Sequence, residues 1–138
     1  MIRYHTEDID FKLKDKQNTS LWLNNVAKNE GFKIKEINYI FCSDEYLYQI
    51  NMEYLEHDTY TDIITFDNSE VKEKLEGDIF VSIERIRENV NEMGLLFESE
   101  LSRVLVHGLL HLCGHLDETD EQEQKMRNKE DYYLNHKF

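Results

Sequence analysis

The stretch Leu101–Leu112, LSRVLVHGLLHL, is the most apolar segment of an otherwise acidic chain, and it holds two histidines at H-x-x-x-H spacing. Its apolar residues cover most of a helical circumference, which predicts a central buried helix, opened by the acidic pair Glu98 and Glu100. Positions four apart on a helix point the same way with Cβ atoms about 6 Å apart, so His107 and His111 can both reach one metal ion. Gly114 is a natural stop for the helix, and beyond it His115 and Asp117 offer a third ligand. Either residue type suits a divalent ion such as zinc. Position favours Asp117, six residues past His111, over His115, which stands one residue past the glycine and too close to the helix to turn inward. Cys113 faces roughly 160° away from His111 on a helix and is expected to be a buried free thiol, as is Cys42.

Two histidines and one aspartate would leave an open coordination position, the mark of a catalytic centre rather than a structural one. Non-haem iron oxygenases use the same ligand set, but normally from strands. In the H-E-x-x-H helix of metallopeptidases, the residue after the first histidine is the general base; here it is Gly108, so a peptidase would lack its base. Glycine inside a helix costs about 1 kcal/mol relative to alanine, so Gly108 answers a spatial need. That need is either close approach of a backbone or substrate to the metal face, or a tight helix–sheet contact.

Working outward, Ile9, Phe11 and Leu13 alternate with Asp10 and Lys12 and predict a half-buried strand. Ser20–Asn29 predicts a helix stopped by Gly31, and Ile37, Tyr39 and Phe41 a second strand. Ser43 is a suitable N-cap for a helix whose apolar face is Leu47, Ile50 and Tyr54. Asp62–Phe66 and Asp78–Ile83 are nearly continuous apolar runs, expected as central strands joined in a hairpin by a long loop. Ile83, Ile86, Val90 and Met93 predict a third helix closed by Gly94. Thr119 with Gln122 forms a capping box for a last helix through Tyr133. The order is strand, helix, strand, helix, two strands, three helices. That is an α+β (mixed α/β) class, one domain over residues 1–138, with a small mixed four-stranded sheet packed by about five helices.

The 138 residues carry a net charge of −13, and the sequence is 40% hydrophobic, which suits a packed core. No run approaches the roughly 18 apolar residues of a membrane span, and MIRYHTEDIDF has no apolar signal region, so a cytoplasmic location is expected. Such an acidic surface disfavours nonspecific binding to DNA or RNA by charge alone. An RNA substrate would need a local basic strip, for which Lys12, Lys14, Lys16, Lys33 and Lys35 are candidates, or delivery by a partner.

HGLLHLCGHLD (107–117) resembles the H-G-x-L-H-L-x-G-Y-D-H signature of the YbeY family, metal-dependent bacterial endoribonucleases that mature ribosomal RNA. TDIITF (61–66) is similar to the family's T-D-V-L-S-F strand, and Gly77–Asp78–Ile79 to its G-D-I. The resemblance spans residues 45–135. It implies one divalent ion, expected to be zinc, on His107, His111 and Asp117, the last standing where the family has a third histidine. The family's tyrosine falls at His115. The family's arginine after the tyrosine of the second helix is Leu55 here, and its proline before Thr-Asp is Tyr60. His57 and Asp62 are candidates for substrate-facing roles. Two functions follow as expectations. The first is a single-strand-specific endoribonuclease acting on ribosomal RNA. The second is a ribosome-assembly factor whose metal is mainly structural, its acidic surface docking basic ribosomal proteins.

Overall fold

The computed structural model describes residues 1–55 and 61–137; His57 and Tyr60 lie outside the described residues. The elements are β1 (Ile2–Thr6), α1 (Lys16–Asn29), β2 (Lys33–Cys42), α2 (Asp44–Leu55), β3 (Ile63–Asp67), β4 (Lys74–Ser82), α3 (Ile83–Met93), α4 (Phe97–Leu112) and α5 (Asp120–Asn135). The strands form one mixed sheet in the order β1-β2-β4-β3. β1, β2 and β4 run parallel, with Tyr4 beside Tyr39 and Tyr39 beside Ile79. β3 returns antiparallel along β4, placing Ile63 opposite Val81. The α+β class and the element order expected from the sequence are both found.

Alternation along the strands divides the sheet into two faces. Ile37, Tyr39 and Phe41 of β2 and Leu75, Ile79 and Val81 of β4 point into the main core, where α1, α3, α4 and α5 bring Trp22, Ile86, Leu105 and Met126. The opposite face is covered by α2, whose Leu47 and Ile50 pack on Cys42 and Ile64. The starts of α2, α3 and α5 are capped by side chains. Ser43 Oγ accepts from the Tyr46 amide and Ser82 Oγ from the Arg85 amide, and Thr119 with Gln122 completes the capping box of α5.

Three expectations are corrected. Ile9, Phe11 and Leu13 form no strand; β2's free flank is taken instead by Ile2–Thr6. The chain turns at Asp8 (φ 26°), whose carboxylate accepts from the Ser43 amide and hydroxyl. Beyond that turn Phe11 and Leu13 reach the core from an extended segment, Phe11 meeting the rings of Phe41 and Phe97. Asp62–Phe66 is an edge strand rather than a central one. Tyr54 and Met93, each 66% exposed, project past the core in the last turns of α2 and α3.

The seating of α4 on the sheet accounts for Gly108. A Cβ at this position would lie 2.9 Å from Ile63 Cδ1 and 3.0 Å from Ile79 Cγ2, so the helix backbone rests directly on two isoleucines of the sheet. Gly77 on β4 is tighter still: a Cβ there would stand 2.5 Å from the Phe66 carbonyl oxygen and 3.2 Å from Leu112 Cδ2. The Tyr39 hydroxyl, fully inside, donates to the Leu105 carbonyl at 2.8 Å and ties β2 to the same helix.

These contacts predict an order of severity. Gly77→Ala meets a backbone atom and is expected to cost about 2–3 kcal/mol. Gly108→Ala meets side chains that can shift and gains about 1 kcal/mol of helix propensity, so its net loss is expected near 1 kcal/mol. Urea unfolding of the two variants measures this, and a Gly108→Ala protein less stable than Gly77→Ala would contradict the packing account.

Candidate metal centre

α4 presents Arg103, His107 and His111 on one face at spacings of four, and the chain then doubles back through Gly114 (φ 97°) to bring Asp117 over the last turn. His107 Nε2 and His111 Nε2 stand 2.9 Å apart. Asp117 Oδ2 lies 3.3 Å from each of them. Donors about 2.0–2.1 Å from a tetrahedral ion are separated by roughly 3.3 Å, so the three atoms have the size of one face of such a coordination sphere. Among the described residues this is the group of histidine, cysteine and carboxylate side chains whose ligand atoms converge closely enough to hold a metal ion.

The hydrogen bonds behind the rings assign their tautomers. His111 Nδ1 is 2.9 Å from the His115 carbonyl, which can only accept, so Nδ1 carries the hydrogen. His107 Nδ1 is 2.6 Å from Glu130 Oε2. Glu130 is only 5% exposed. Burial works against its charge, but hydrogen bonds from His107 and Arg103 outweigh this and hold its pKa below the ordinary value. Glu130 is therefore an ionised acceptor, and both neutral rings turn a bare Nε2 lone pair toward the Asp117 carboxylate. Three lone pairs aimed at one point suit a shared cation and little else, so the residues fit a divalent ion.

A proton competes for the same place. Burial disfavours a charged His107, yet the hydrogen bond and charge of Glu130, with Asp117 and Asp62 adding, raise its pKa above the ordinary histidine value. His111 moves down, through burial and the charge of His107. The pair thus holds one positive charge more readily than two.

Two struts support the site. Arg103 donates from Nη1 to Glu130 (2.8 Å) and from Nη2 to Asp131 (2.6 Å), pinning α5 to α4. On the other side, His115 points away from the trio, its Nε2 at 2.6 Å from Glu30 Oε1. Lys129 Nζ and the Tyr133 hydroxyl both donate to Glu30 Oε2. The His115 ring is thus anchored to the end of α1 while its carbonyl orients His111. Cys113 is outside the trio, and burial pushes its thiol up to about 12.

His107 and Asp117 open on a cleft of about 390 Å³ lined by Asp62, Ile63, Val104 and Met126 together with charged groups of α4 and α5. Asp62, expected to face substrate, is among these residues. Burial raises its pKa, an effect the nearby His107 charge partly offsets. Leu55 and the candidate lysines Lys12, Lys14, Lys16, Lys33 and Lys35 do not line the cleft. Lys33 and Lys35 line a separate hollow with Lys74. Sequence reasoning missed Glu130, Arg103 and Glu30. The first two had signals: a glutamate on the apolar Met126–Tyr133 stripe of α5, and an arginine one helical step before His107. Glu30, at the end of α1, had none.

The fold and the site together define a small α+β protein with a metal-type donor set at the end of its buried helix. A model of the family described as Endoribonuclease YbeY matches residues 1–137. A relative of that name from Cytophaga hutchinsonii is 53% identical over 133 residues, covering 96% of this chain and 93% of its own length. Another, from Flavobacterium psychrophilum, is 47% identical over 134 residues, covering 97% and 94%. The solution structure of a Thermotoga maritima protein superposes with a TM-score of 0.69 at 30% identity, covering 97% of this chain and 87% of the other. The chain belongs to the YbeY endoribonuclease family.

The geometry makes two predictions. Glu130→Gln removes the charge that polarises His107 and is expected to weaken divalent-ion affinity about 10–100-fold, measured by competition with a coloured chelator. Affinity is also expected to fall as pH drops from about 8 to about 5.5, the loss beginning above the ordinary histidine value. An affinity flat across that range would contradict the assignment of His107.

Proposed function

We propose that the chain is a metal-dependent, single-strand-specific endoribonuclease that acts in ribosomal RNA maturation, at the 3′ end of the small-subunit RNA, and in ribosome quality control. His107, His111 and Asp117 hold one divalent ion, expected to be zinc. The observation that carries this reading is the convergence of two bare imidazole nitrogens and one carboxylate oxygen at the mouth of an open cleft. Membership of a family whose relatives are named endoribonucleases supplies the substrate class.

When bound, the ion supplies Lewis-acid chemistry toward a phosphodiester. The chain's own groups do the rest. Glu130 holds the His107 ring and the His115 carbonyl holds His111, so both nitrogens are aimed before the ion arrives. Ile63, Val104 and Met126 form the apolar floor on which the cleft's charged groups stand. Asp62, with its raised pKa, stands beside His107, where it can hold or accept a proton. Gly108 occupies the position of the metallopeptidase base and faces the sheet, so a peptidase reading lacks its base. A cytoplasmic location suits this role, and among the described residues no helix is long and apolar enough to cross a membrane.

The second reading, a ribosome-assembly factor with a structural metal, draws on the net charge of −13, which suits docking to basic ribosomal proteins.

Elemental analysis of protein purified without chelator, paired with cleavage of single-stranded ribosomal RNA, separates these readings. About one equivalent of metal with cleavage is expected. His107→Ala and His111→Ala are expected to lose both metal and cleavage. Asp117→Ala is expected to weaken metal binding more than His115→Ala, because the His115 ring faces Glu30. Metal without cleavage would favour the assembly factor, and a full equivalent retained in His107→Ala would remove the site.

A further inference from the structure

We propose that Arg127 grips a backbone phosphate of single-stranded RNA lying in the cleft; this rests on the nuclease reading above. The cleft is a poor place for a polyanion as it stands. Five carboxylates line it, among them Asp62, Asp117 and Glu130, against two guanidinium groups, Arg103 and Arg127. RNA brings one negative charge per nucleotide, so a strand in this cleft needs a cation beyond the divalent ion at its mouth.

Arg103 is already spent. Both arms of its fork bind carboxylates, Glu130 and Asp131, and its side chain is only 18% exposed. Arg127 differs in each respect. It is exposed, and among the described residues nothing forms an ion pair or hydrogen bond with it. Of its helical neighbours, Asp131 four residues on is held by Arg103, and Glu123 four residues back lines the same cleft without pairing to it. A second guanidinium therefore stands free on the cleft side of α5, one turn before Glu130. A free guanidinium offers a planar fork that matches two phosphate oxygens.

The test uses the metal-loaded protein and a fluorescent single-stranded oligoribonucleotide, with binding and cleavage followed at several salt concentrations. Arg127→Glu is compared with Lys125→Glu, on the same helix but outside the cleft and paired with Glu121. Each reversal takes the net charge from −13 to −15, so a purely global charge effect moves both equally. Arg127→Glu is expected to raise Kd and KM about tenfold. Its kcat should stay within about twofold and its metal content should not change, while the salt dependence of binding loses about 0.7 of a unit of slope. Arg127→Lys is expected to recover part of the affinity, because the point charge remains. Lys125→Glu is expected to move Kd by less than about twofold. Equal effects of the two reversals, or no effect of Arg127→Glu in a protein whose wild type cleaves, would overturn the role of Arg127 and leave the nuclease reading in place. A wild type that takes up no metal and cuts no RNA would overturn both.

Discussion

The direct seating of the α4 backbone on Ile63 and Ile79 is the constraint from which the rest of the structure follows. A helix held this close cannot roll or slide by even part of a turn without driving a side chain into the sheet, because cores close-packed as this one do not yield continuously. The rotation of α4 is thereby fixed, and with it the direction in which His107 and His111 leave the helix. The buried hydroxyl of Tyr39, donating to Leu105, fixes the same helix along its axis. The two histidines inherit their direction from apolar packing.

Precision at the donor atoms comes from a second, polar layer. Asp131, Arg103, Glu130 and His107 form one chain of charge-assisted contacts. Glu30, His115 and His111 form another, passing through a backbone carbonyl. A buried carboxylate such as Glu130 is costly to desolvate and survives because it is paired on both oxygens. The two chains arrive from different helices, α5 and α1, so the site measures whether both are docked.

Much of this was legible in the sequence, for identifiable reasons. The buried helix, the paired histidines, the stop at Gly114 and the capping box at Thr119 are local patterns whose meaning does not depend on distant residues. Where the reading went astray, the deciding fact was nonlocal. Ile9, Phe11 and Leu13 have the alternation of a strand because their side chains do enter the core, but alternation does not report whether a backbone ladder partner is free. Ile2–Thr6 had already taken that place. Asp62–Phe66 is apolar enough to be central, yet strand order set it at the edge. Glu30 gave no sign at all, since its role exists only once α1, α5 and the turn after α4 meet. The two uses of Gly108 left open by the sequence are separated by a single pair of distances to isoleucine side chains.

The segment between the end of α4 and the start of α5 is suspended from two firm points, Gly114 in its left-handed conformation and the Thr119 capping box. Between them it supplies Asp117 without placing any side chain in the main core. Two of the candidate donors are thus set on the buried helix, and the third on a short surface loop. A change at position 117 exchanges the third donor's chemistry, and with it the hardness of the candidate site toward different ions, without touching the packing of α4. The preference of such a site among ions is therefore tunable from this short loop, while the helix beneath it stays the same.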